Sequence, residues 1–415
     1  NILLNDSVVS VADEDGHFTV NVKELPASLS ASFIGYDPVS VQVTKQKEFF
    51  TLELKASNYM LGEVVISAFE GKQRIIESPG SIALLPQKEM KIDNDIYFIP
   101  SLNRVTGIYA HSGTYNTNRI TIRGIGSRSL FITSKIRAYY DNIPLTTGDG
   151  ETTVEDIDPN LIDRMETIKG PSSSLYGAGL GGTLLISSES PSNQEKYLRY
   201  SITGGSYGYL KNDLSFAYGN DKNRLGVVMN KIKSNGYREN NKFDRFTGGI
   251  HFKSYLTNKT TLNFLSTFIG LNAQIPSSLN REMYETNPEA AAPNWAEAEG
   301  FEDNRKFISG LGINHIFNEN SSLDASVFYT WRDLYERRPF NILEENVNAT
   351  GTRIKYEYKN EWKEYKFNLV VGGEYFIDLY KWQTYENNDN EQGELLSDNK
   401  ESRENINGFI KTDLQ

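Results

Sequence analysis

Residues that commonly bind metals or attack substrates are scarce in this chain. It has no Cys, and its four His residues are scattered along the sequence. Disulfides, iron–sulfur clusters and thiol nucleophiles are therefore excluded, and a His-based metal site is disfavoured because metal ligands need regular spacing. No Ser–His–Asp or paired-carboxylate pattern indicates catalysis. We expect a protein that is not an enzyme and that holds no cofactor or metal.

Three short segments suggest ligand chemistry by composition alone. Gly177, Gly179 and Gly182 match a dinucleotide-binding fingerprint, but a predicted strand at 183–186 follows them, so the helix that would bind phosphate is missing. The acidic clusters at 13–15 and 388–394 lack the ligand spacing of a calcium loop. We interpret these segments as turn glycines, a hairpin turn and a solvated loop.

Charge and hydropathy narrow the class of protein further. Lys plus Arg number 43 and Asp plus Glu 54, giving a formal net charge of −11, which argues against nucleic-acid binding. No apolar run approaches the roughly 18 residues of a membrane-spanning helix. Transmembrane β-strands of about ten alternating residues remain possible. The 24 Tyr and 21 Phe residues also favour strands over helices.

Composition divides the chain into three zones. The first, 1–57, reads as a small β-domain with strands predicted at 8–12, 18–22, 28–34, 39–43 and 51–54. The second, 58–191, mixes strands with two short helices, and its polar, glycine-rich turns predict no dense apolar core. Its predicted strands are 63–68, 119–124, 136–140, 165–169 and 183–187, and its helices lie near 94–105 and 159–165, the latter with Asp158 as N-cap and Pro159 in the first turn.

The third zone, 192–415, contains ten predicted strands with alternating polarity. On one of them Leu214 and Phe216 oppose Asp213, and the same alternation places Tyr329 opposite Arg332 on another. Short and long connections alternate, as in a barrel with short periplasmic turns and long external loops. Short turns are predicted at 220–223, 257–260, 318–321 and 361–364, and long loops at 235–244, 273–304, 339–350 and 383–402.

Motifs in the second zone resemble those of TonB-dependent outer-membrane transporters. Residues 63–68 look like the TonB box, and residues 119–124 look like a plug strand motif of the family. Residues 163–186 resemble the family's longer motif that contains the sequences RGP and LYG. Asn142 replaces the Gly usual in the family's turn at 140–144. Lys169 replaces the usual Arg, so a bidentate contact is not expected there. The plug motif residues are Arg123, Gly124, Glu166, Lys169, Gly170, Pro171, Tyr176 and Gly177.

The resemblance implies a mostly β fold in three domains. A small carboxypeptidase-regulatory-like β-sandwich (1–57) precedes an α+β plug domain with the TonB box (58–191). The rest (192–415) is the first part, about ten strands, of a large antiparallel transmembrane β-barrel. Such a barrel has about 22 strands around a plugged lumen. We therefore expect the chain to be truncated at both ends.

The resemblance also implies TonB-dependent import of a ligand across the outer membrane of a Gram-negative cell. The N-terminal domain would be periplasmic. Expected partners are TonB with its inner-membrane complex, outer-membrane lipid, and a small extracellular ligand, foremost a ferric siderophore or related metal chelate. Import of a vitamin, peptide or glycan is an alternative, as is a non-transporting receptor or adhesin, a passive porin, or a soluble β-sandwich enzyme.

Two groups of site residues follow from this resemblance. TonB is expected to add as a strand to the TonB box, whose residues are Glu63, Val64, Val65, Ile66, Ser67 and Ala68. The ligand is expected between two plug loops and the long loop at 273–304. Its candidate contacts are His111, Ser112, Tyr115, Asn116, Asn118, Thr147, Asp149, Glu151, Arg281, Tyr284 and Trp295. The aromatic residues Tyr329, Trp331, Tyr380 and Trp382 are instead expected in an interfacial girdle.

Overall fold

The computed structural model contains two compact units, residues 1–65 and 66–415. The predicted boundary at 57/58 falls among residues that the structure does not describe. In the described part, no helix is both long and apolar enough to cross a membrane. The structure describes all residues except 1, 5–6, 14–15, 23–24, 33–38, 45–50, 55–64, 67–72, 76–77, 79, 94–97, 115–116, 130–131, 149, 155–156, 178, 363–364 and 415.

The first unit is built on a four-stranded antiparallel sheet with the order β2-β1-β3-β4. Its core contains Ile2, Leu29 and Val43. The strands are β1 (Ile2–Leu4), β2 (Ser7–Ser10), β3 (Ala27–Ala31) and β4 (Val39–Val43).

Two strands predicted for this unit are not formed. Residues 18–22 and 51–54 carry no strand, although Phe18 and Leu52 pack against the core. The alternating apolar residues in these segments therefore indicate side chains buried against the core, and not backbone pairing into the sheet. At the predicted turn, the Gly16 backbone amide donates to the Asp13 carbonyl at 3.0 Å, whereas residues 14–15 of the acidic cluster lie outside the described residues.

A short strand pairing begins at the boundary between the two units, and a central mixed sheet lies in the second unit. Val65–Ile66 (β5) pairs with Gln73–Arg74 (β6). The central sheet has the order β12-β11-β15-β14-β7, with β11 and β15 parallel and the other pairs antiparallel. We call residues 73–188 the plug segment. Its further elements are β7 (Ile82–Pro86), α1 (Gln87–Asp93), a 3₁₀ turn (Ile99–Arg104), β8 (Ile108–Thr114), β9 (Thr117–Ile122), β10 (Thr133–Ser134), β11 (Ile136–Tyr140), β12 (Ile143–Pro144), β13 (Glu151–Thr152), a 3₁₀ turn (Pro159–Leu161), β14 (Ile162–Lys169), α2 (Ser173–Tyr176) and β15 (Gly182–Ser188).

The plug segment has the dense apolar core that its composition did not predict. Met90, Phe98, Ile120 and Leu184 are fully buried in one cluster. The polar Gly, Ser, Thr and Asn residues are concentrated in the turns, so zone-averaged composition hid the short apolar strands. The helix predicted at 159–165 was also too long, because β14 begins at Ile162.

The remaining residues form one ten-stranded antiparallel sheet in which each strand pairs with its sequence neighbours, as predicted. Two short helices, α3 (Arg281–Thr286) and α4 (Pro293–Glu297), lie in the longest connection. The strands are β16 (Lys196–Gly204), β17 (Leu210–Gly219), β18 (Asn223–Ser234), β19 (Phe243–Thr257), β20 (Thr260–Gln274), β21 (Phe301–Asn318), β22 (Ser321–Arg337), β23 (Ile342–Trp362), β24 (Tyr365–Asn388) and β25 (Glu391–Leu414).

The sheet has an apolar face and a plug face, and its connections differ at its two ends. On β17, Leu214 is 40% exposed whereas Lys211 is 1% exposed, because the plug covers that face. The predicted short turns at 220–223, 257–260 and 318–321 lie at what we call the inner end, and the longer connections at the outer end. Residues 363–364 of the fourth predicted short turn lie outside the described residues. Two long loops predicted for the outer end are instead paired strand: β23 starts at Ile342, and β24 and β25 run on to a turn at 389–390.

Candidate functional site

A buried carboxylate of the plug segment is held by two cations of the ten-stranded sheet. Asp158 caps the 3₁₀ turn, its Oδ1 accepting from the Asn160 amide at 2.8 Å. Its Oδ2 lies 3.8 Å from Nζ of Lys211 and 3.7 Å from Nη2 of Arg245. All three charged side chains are at most 3% exposed. The predicted N-cap therefore also docks the plug against β17 and β19.

A second buried cluster joins the plug to β23 and β24 with the charges reversed. Oε1 of Glu374 lies 3.3 Å from Nη2 of Arg137 and accepts from the Tyr139 hydroxyl at 3.2 Å. Its Oε2 accepts from Arg353 at 2.6 Å. Burial, reinforced by the charge of Glu374, raises the pKa of Tyr139 to about 12, so the phenol stays protonated and can donate. Opposite charges in the two clusters favour one orientation of the plug.

A pocket of about 580 Å³ lies between the plug and the outer end of the sheet, and we call it the outer pocket. Its volume is within the range of small-molecule sites. Three of the predicted ligand contacts line it: Asn118, Glu151 and Trp295. The pocket residues contributed by the ten-stranded sheet, which we call the wall, were not among the predicted ligand contacts. They include Glu302, Asn304, Arg332, Leu334, Glu336 and Glu345. Their shared polar face along β21–β23 was the signal available.

Two amide groups in the outer pocket are poised for a ligand. Oδ1 of Asn118 accepts from the Ser112 hydroxyl at 2.6 Å, while its Nδ2 is buried without a partner among the described residues. Asn304 donates to Glu302 at 2.8 Å, and its Oδ1 likewise has no partner in the described part. Buried unpaired polar groups are costly, so a ligand or water is expected to satisfy them. Ser112 thus positions Asn118 instead of lining the pocket.

The long outer connection that carries Trp295 is held by the neighbouring connection at 235–242. The amide of Asn240 donates to the carbonyls of Ile275 and Gly300, both at 2.9 Å. Arg238 donates to the carbonyls of Ala290, at 2.9 Å, and of Ser277 and Pro276. These bonds fix the loop backbone on both sides of α4.

The other predicted ligand contacts do not line the outer pocket. Arg281 and Tyr284 lie on α3, where they line a separate shallow groove. His111 is exposed beside Tyr109, and the Thr147 hydroxyl donates to the Glu151 carbonyl, closing its own loop. Tyr115, Asn116 and Asp149 lie outside the described residues.

The aromatic girdle prediction was wrong for one pair of residues. Tyr380 and Trp382 stack with ring centroids 4.8 Å apart on the plug face. The Tyr380 hydroxyl donates to Glu345 of the outer pocket at 2.7 Å. Tyr329 and Trp331 lie on the apolar face, beside Phe268 and Phe307. The alternation of faces along β24 could have distinguished the two pairs. Tyr380 is an even number of residues from Glu374, so both side chains lie on the same face of the strand.

The plug motif residues have structural roles. Arg123 and Gly124 form a turn at positive φ, in which the Arg123 amide donates to the Gly107 carbonyl at 2.7 Å. Lys169 makes one contact of 3.2 Å to the Thr106 carbonyl, in place of a bidentate arginine contact. Glu166 is fully buried and accepts from Arg164 at 3.1 Å.

The end of the motif run shapes the start of β15. Gly170 and Gly177 also have positive φ, Pro171 is exposed, and Tyr176 packs 5.5 Å from Tyr139. Gly182 has φ +147°, and a Cβ there would lie 2.2 Å from the Ile168 carbonyl oxygen. This glycine therefore permits strand pairing, and β15, not a helix, begins at it.

Only part of the predicted TonB box can be described. Val65 and Ile66 form β5, paired with β6. Glu63, Val64, Ser67 and Ala68 lie outside the described residues. The extended conformation predicted for this segment is therefore present at its two central positions.

The five-stranded mixed sheet of the plug segment thus packs on the polar face of a ten-stranded antiparallel sheet whose strands pair in sequence order. Residues 74–183 match the family described as TonB-dependent Receptor Plug Domain. These observations confirm the predicted fold class, and the family match supports the recognition of a TonB-dependent receptor plug domain at 74–183. The N-terminal likeness to a carboxypeptidase-regulatory domain stays a prediction.

Solved structures share the fold at low sequence identity. The unliganded ferric citrate transporter FecA gives a TM-score of 0.70 at 16% identity, over 82% of this chain and 54% of that one. Pseudomonas aeruginosa FpvA bound to heterologous pyoverdines gives 0.66 at 15% identity, over 84% and 51%. The chain thus spans about half the length of these structures.

Two curated relatives match less than a third of this chain. A ferrioxamine receptor of Yersinia enterocolitica is 26% identical over 122 residues, 29% of this chain and 16% of that protein. A hemin receptor of the same organism is 26% identical over 123 residues, 29% and 17% of the two chains.

Proposed function

We propose that this protein imports a ferric siderophore or a related metal chelate across the outer membrane in a TonB-dependent manner. The observation that carries the proposal is the outer pocket, which combines plug and wall residues and has the plug directly beneath it. The relatives named for ferrioxamine, hemin and ferric citrate support an iron chelate as the cargo.

In the proposed mechanism, ligand contacts with Asn118 and Trp295 are communicated through the plug to its inner side. TonB then pairs with residues 63–68, and main-chain hydrogen bonds supply the affinity for pulling. The pull must release two buried ionic clusters, those of Asp158 and Glu374, before a path opens. The apolar face of the sheet would contact lipid, and the N-terminal unit would lie in the periplasm.

Uptake and binding assays separate this proposal from its alternatives. Cells producing the full-length receptor are given iron-55 bound to ferrioxamine, citrate or porphyrin, with and without residues 63–68. We expect at least one chelate to bind both forms and to be taken up only by the intact form. Uptake that persists after the deletion contradicts TonB coupling. Binding without uptake by the intact form indicates a non-transporting receptor, and binding of none rejects the chelate class.

A further inference from the structure

A second cavity, of about 410 Å³, lies on the inner side of the plug, and we call it the inner chamber. It uses the same wall strands as the outer pocket. Gly312, Ser326 and Arg353 line the chamber, and Asn304, Leu334 and Glu345 line the pocket, on β21, β22 and β23 respectively. The two cavities are on the order of 25 Å apart along these strands, at roughly 3.4 Å per residue.

One apolar layer of plug and wall separates the two cavities. Ile143 of β12, Ile308 and Phe328 are each at most 5% exposed within it. Gly310 lets the plug approach, because a Cβ there would lie 2.6 Å from Cδ1 of Ile143. Displacement of this layer would therefore join the outer pocket to the inner chamber along one sector of the wall.

The chamber wall presents polar groups without partners. Nδ1 of His251 and Oγ of Ser326 are buried, and neither has a hydrogen-bond partner among the described residues. The two residues are 7% and 8% exposed, and both line the chamber. Since buried unpaired groups cost stability, they indicate that something polar occupies the cavity.

Charge identifies what that occupant would be. The described lining has three permanent cations, Lys253, Lys355 and Arg353, against two carboxylates, Asp141 and Asp324, and Arg353 is also bound to Glu374 beside the chamber. Asp141 accepts from both the amide and the hydroxyl of Ser188, at 2.9 and 2.7 Å, and Asp324 lies 3.5 Å from Lys355.

The outer pocket has the opposite balance. Its described lining carries four carboxylates, those of Glu151, Glu302, Glu336 and Glu345, against the cations of Arg332 and Arg338. The electrostatic preference therefore reverses between the two cavities, from cationic groups outside to anionic groups inside.

We propose that the inner chamber is a second ligand site for an anionic molecule. Its carboxylate or phosphate groups would face His251 and Lys253 on β19, or Ser326 and Lys355 on β22 and β23, about 14–19 Å away across the strands. The chamber's place on an import path rests on the proposed function, whereas anion binding itself does not. Transport and binding are therefore tested separately.

The test titrates the purified full-length receptor with citrate and, separately, with inorganic phosphate, by calorimetry. We expect millimolar or tighter binding of at least one of them, and the better of the two identifies a carboxylate or a phosphate ligand. Lys253→Gln with Lys355→Gln should weaken binding at least tenfold, and Ser326→Ala about threefold. The exposed Lys366→Gln should leave it unchanged.

A spectroscopic readout guards against variants that fold poorly. With four His in this chain, the imidazole signal of His251 can be assigned by His251→Asn, and it should move when the anion is added to the unmodified receptor. Failure of both anions to bind, or binding that survives the double lysine change, overturns the proposal. Chelate uptake without anion binding rejects the chamber alone, and anion binding without uptake rejects the importer alone.

Discussion

The guanidinium of Arg137, on plug strand β11, lies 3.3 Å from the carboxylate of Glu374, on β24, and both side chains are at least nine-tenths buried. The carboxylate also accepts from Arg353 of the neighbouring strand. One residue of the wall thus links a plug cation to a wall cation. This link stabilises plug docking only while all three charged side chains are present, because a buried charge that loses its partner is costly.

Glu374→Gln is expected to weaken plug docking by about 3–5 kcal/mol, since it leaves two arginines without their counter-charge. In planar bilayers the variant should conduct at a lower urea concentration than the unmodified receptor. Glu319→Gln, at an exposed turn of the inner end, is the matched control and should behave as the unmodified protein does. Equal urea thresholds for both variants would show that this cluster does not hold the plug.

A disulfide between the plug and the wall should block transport while sparing binding. A Cβ on Gly148 would lie 3.0 Å from Cβ of Arg403, close to the spacing of about 3.5–4.5 Å in disulfides. These 415 residues contain no Cys, so Gly148→Cys with Arg403→Cys supplies both thiols of the pair. Chelate uptake should stop under oxidising conditions and return when a reductant is added. Uptake by each single variant should be the same under both conditions. Uptake through the oxidised form would mean that this plug loop stays in place.

Arg238→Ala is expected to reduce ligand affinity at least tenfold without touching the outer pocket, because it frees the loop that carries Trp295. Arg281→Ala removes an arginine that is 90% exposed and whose recorded ion pair is with Glu285 one helical turn away, so affinity should change less than twofold. Quenching of tryptophan fluorescence by the chelate measures both. The reverse ranking would restore Arg281 as a ligand contact.

Gly182→Ala should destabilise the plug by several kcal/mol, because the new Cβ would meet the Ile168 carbonyl oxygen at 2.2 Å in a backbone conformation that disfavours side chains. Gly270→Ala, on β20, is the matched control, because its Cβ would make only an ordinary contact of 3.6 Å with the Phe268 ring. Thermal unfolding should show a lower plug transition for the first variant only. Identical transitions would mean that a Cβ at Gly182 does not collide with the Ile168 carbonyl oxygen, and that β15 lies further from β14.

Stability should fall as the pH rises from about 10 to about 12. The folded state keeps Tyr139 protonated up to the raised pKa of about 12, whereas the unfolded chain loses that proton near its ordinary value. The folded state therefore binds the extra proton, and its advantage of roughly 2–3 kcal/mol disappears through this window. Alkaline unfolding of Tyr139→Phe should show a smaller loss over that range than Tyr207→Phe, an exposed tyrosine.

Local patterns in the sequence predicted the strands but not all their ends. The period of two correctly placed Leu214 and Lys211 on opposite faces, because one face is covered by the plug. The same period did not identify strands at 339–350 and 383–402, because polar residues occupy both faces of these strands where they continue into solvent. Polarity alone cannot distinguish a solvated strand from a loop.

The outer pocket was only partly predictable for a different reason. Asn118 and Glu151 were found because they lie at the starts of short plug strands, within the segments predicted as plug loops. Arg332 and Glu345 contribute through pairing between strands distant from the plug in sequence, which no local pattern encodes. The anchoring of Trp295 by Arg238 likewise depends on two loops that meet only in the folded chain.

Strands β24 and β25 have 24 residues each, whereas a tilted strand crosses a bilayer with about 9–11. Under the proposed topology, more than half of this hairpin extends beyond the lipid as a paired two-stranded projection. Its tip, Asp389–Asn390, turns the chain with positive φ at both positions. That tip is where antibodies or bacteriophages would first meet the cell, and where a peptide tag could be displayed far from the cargo entrance.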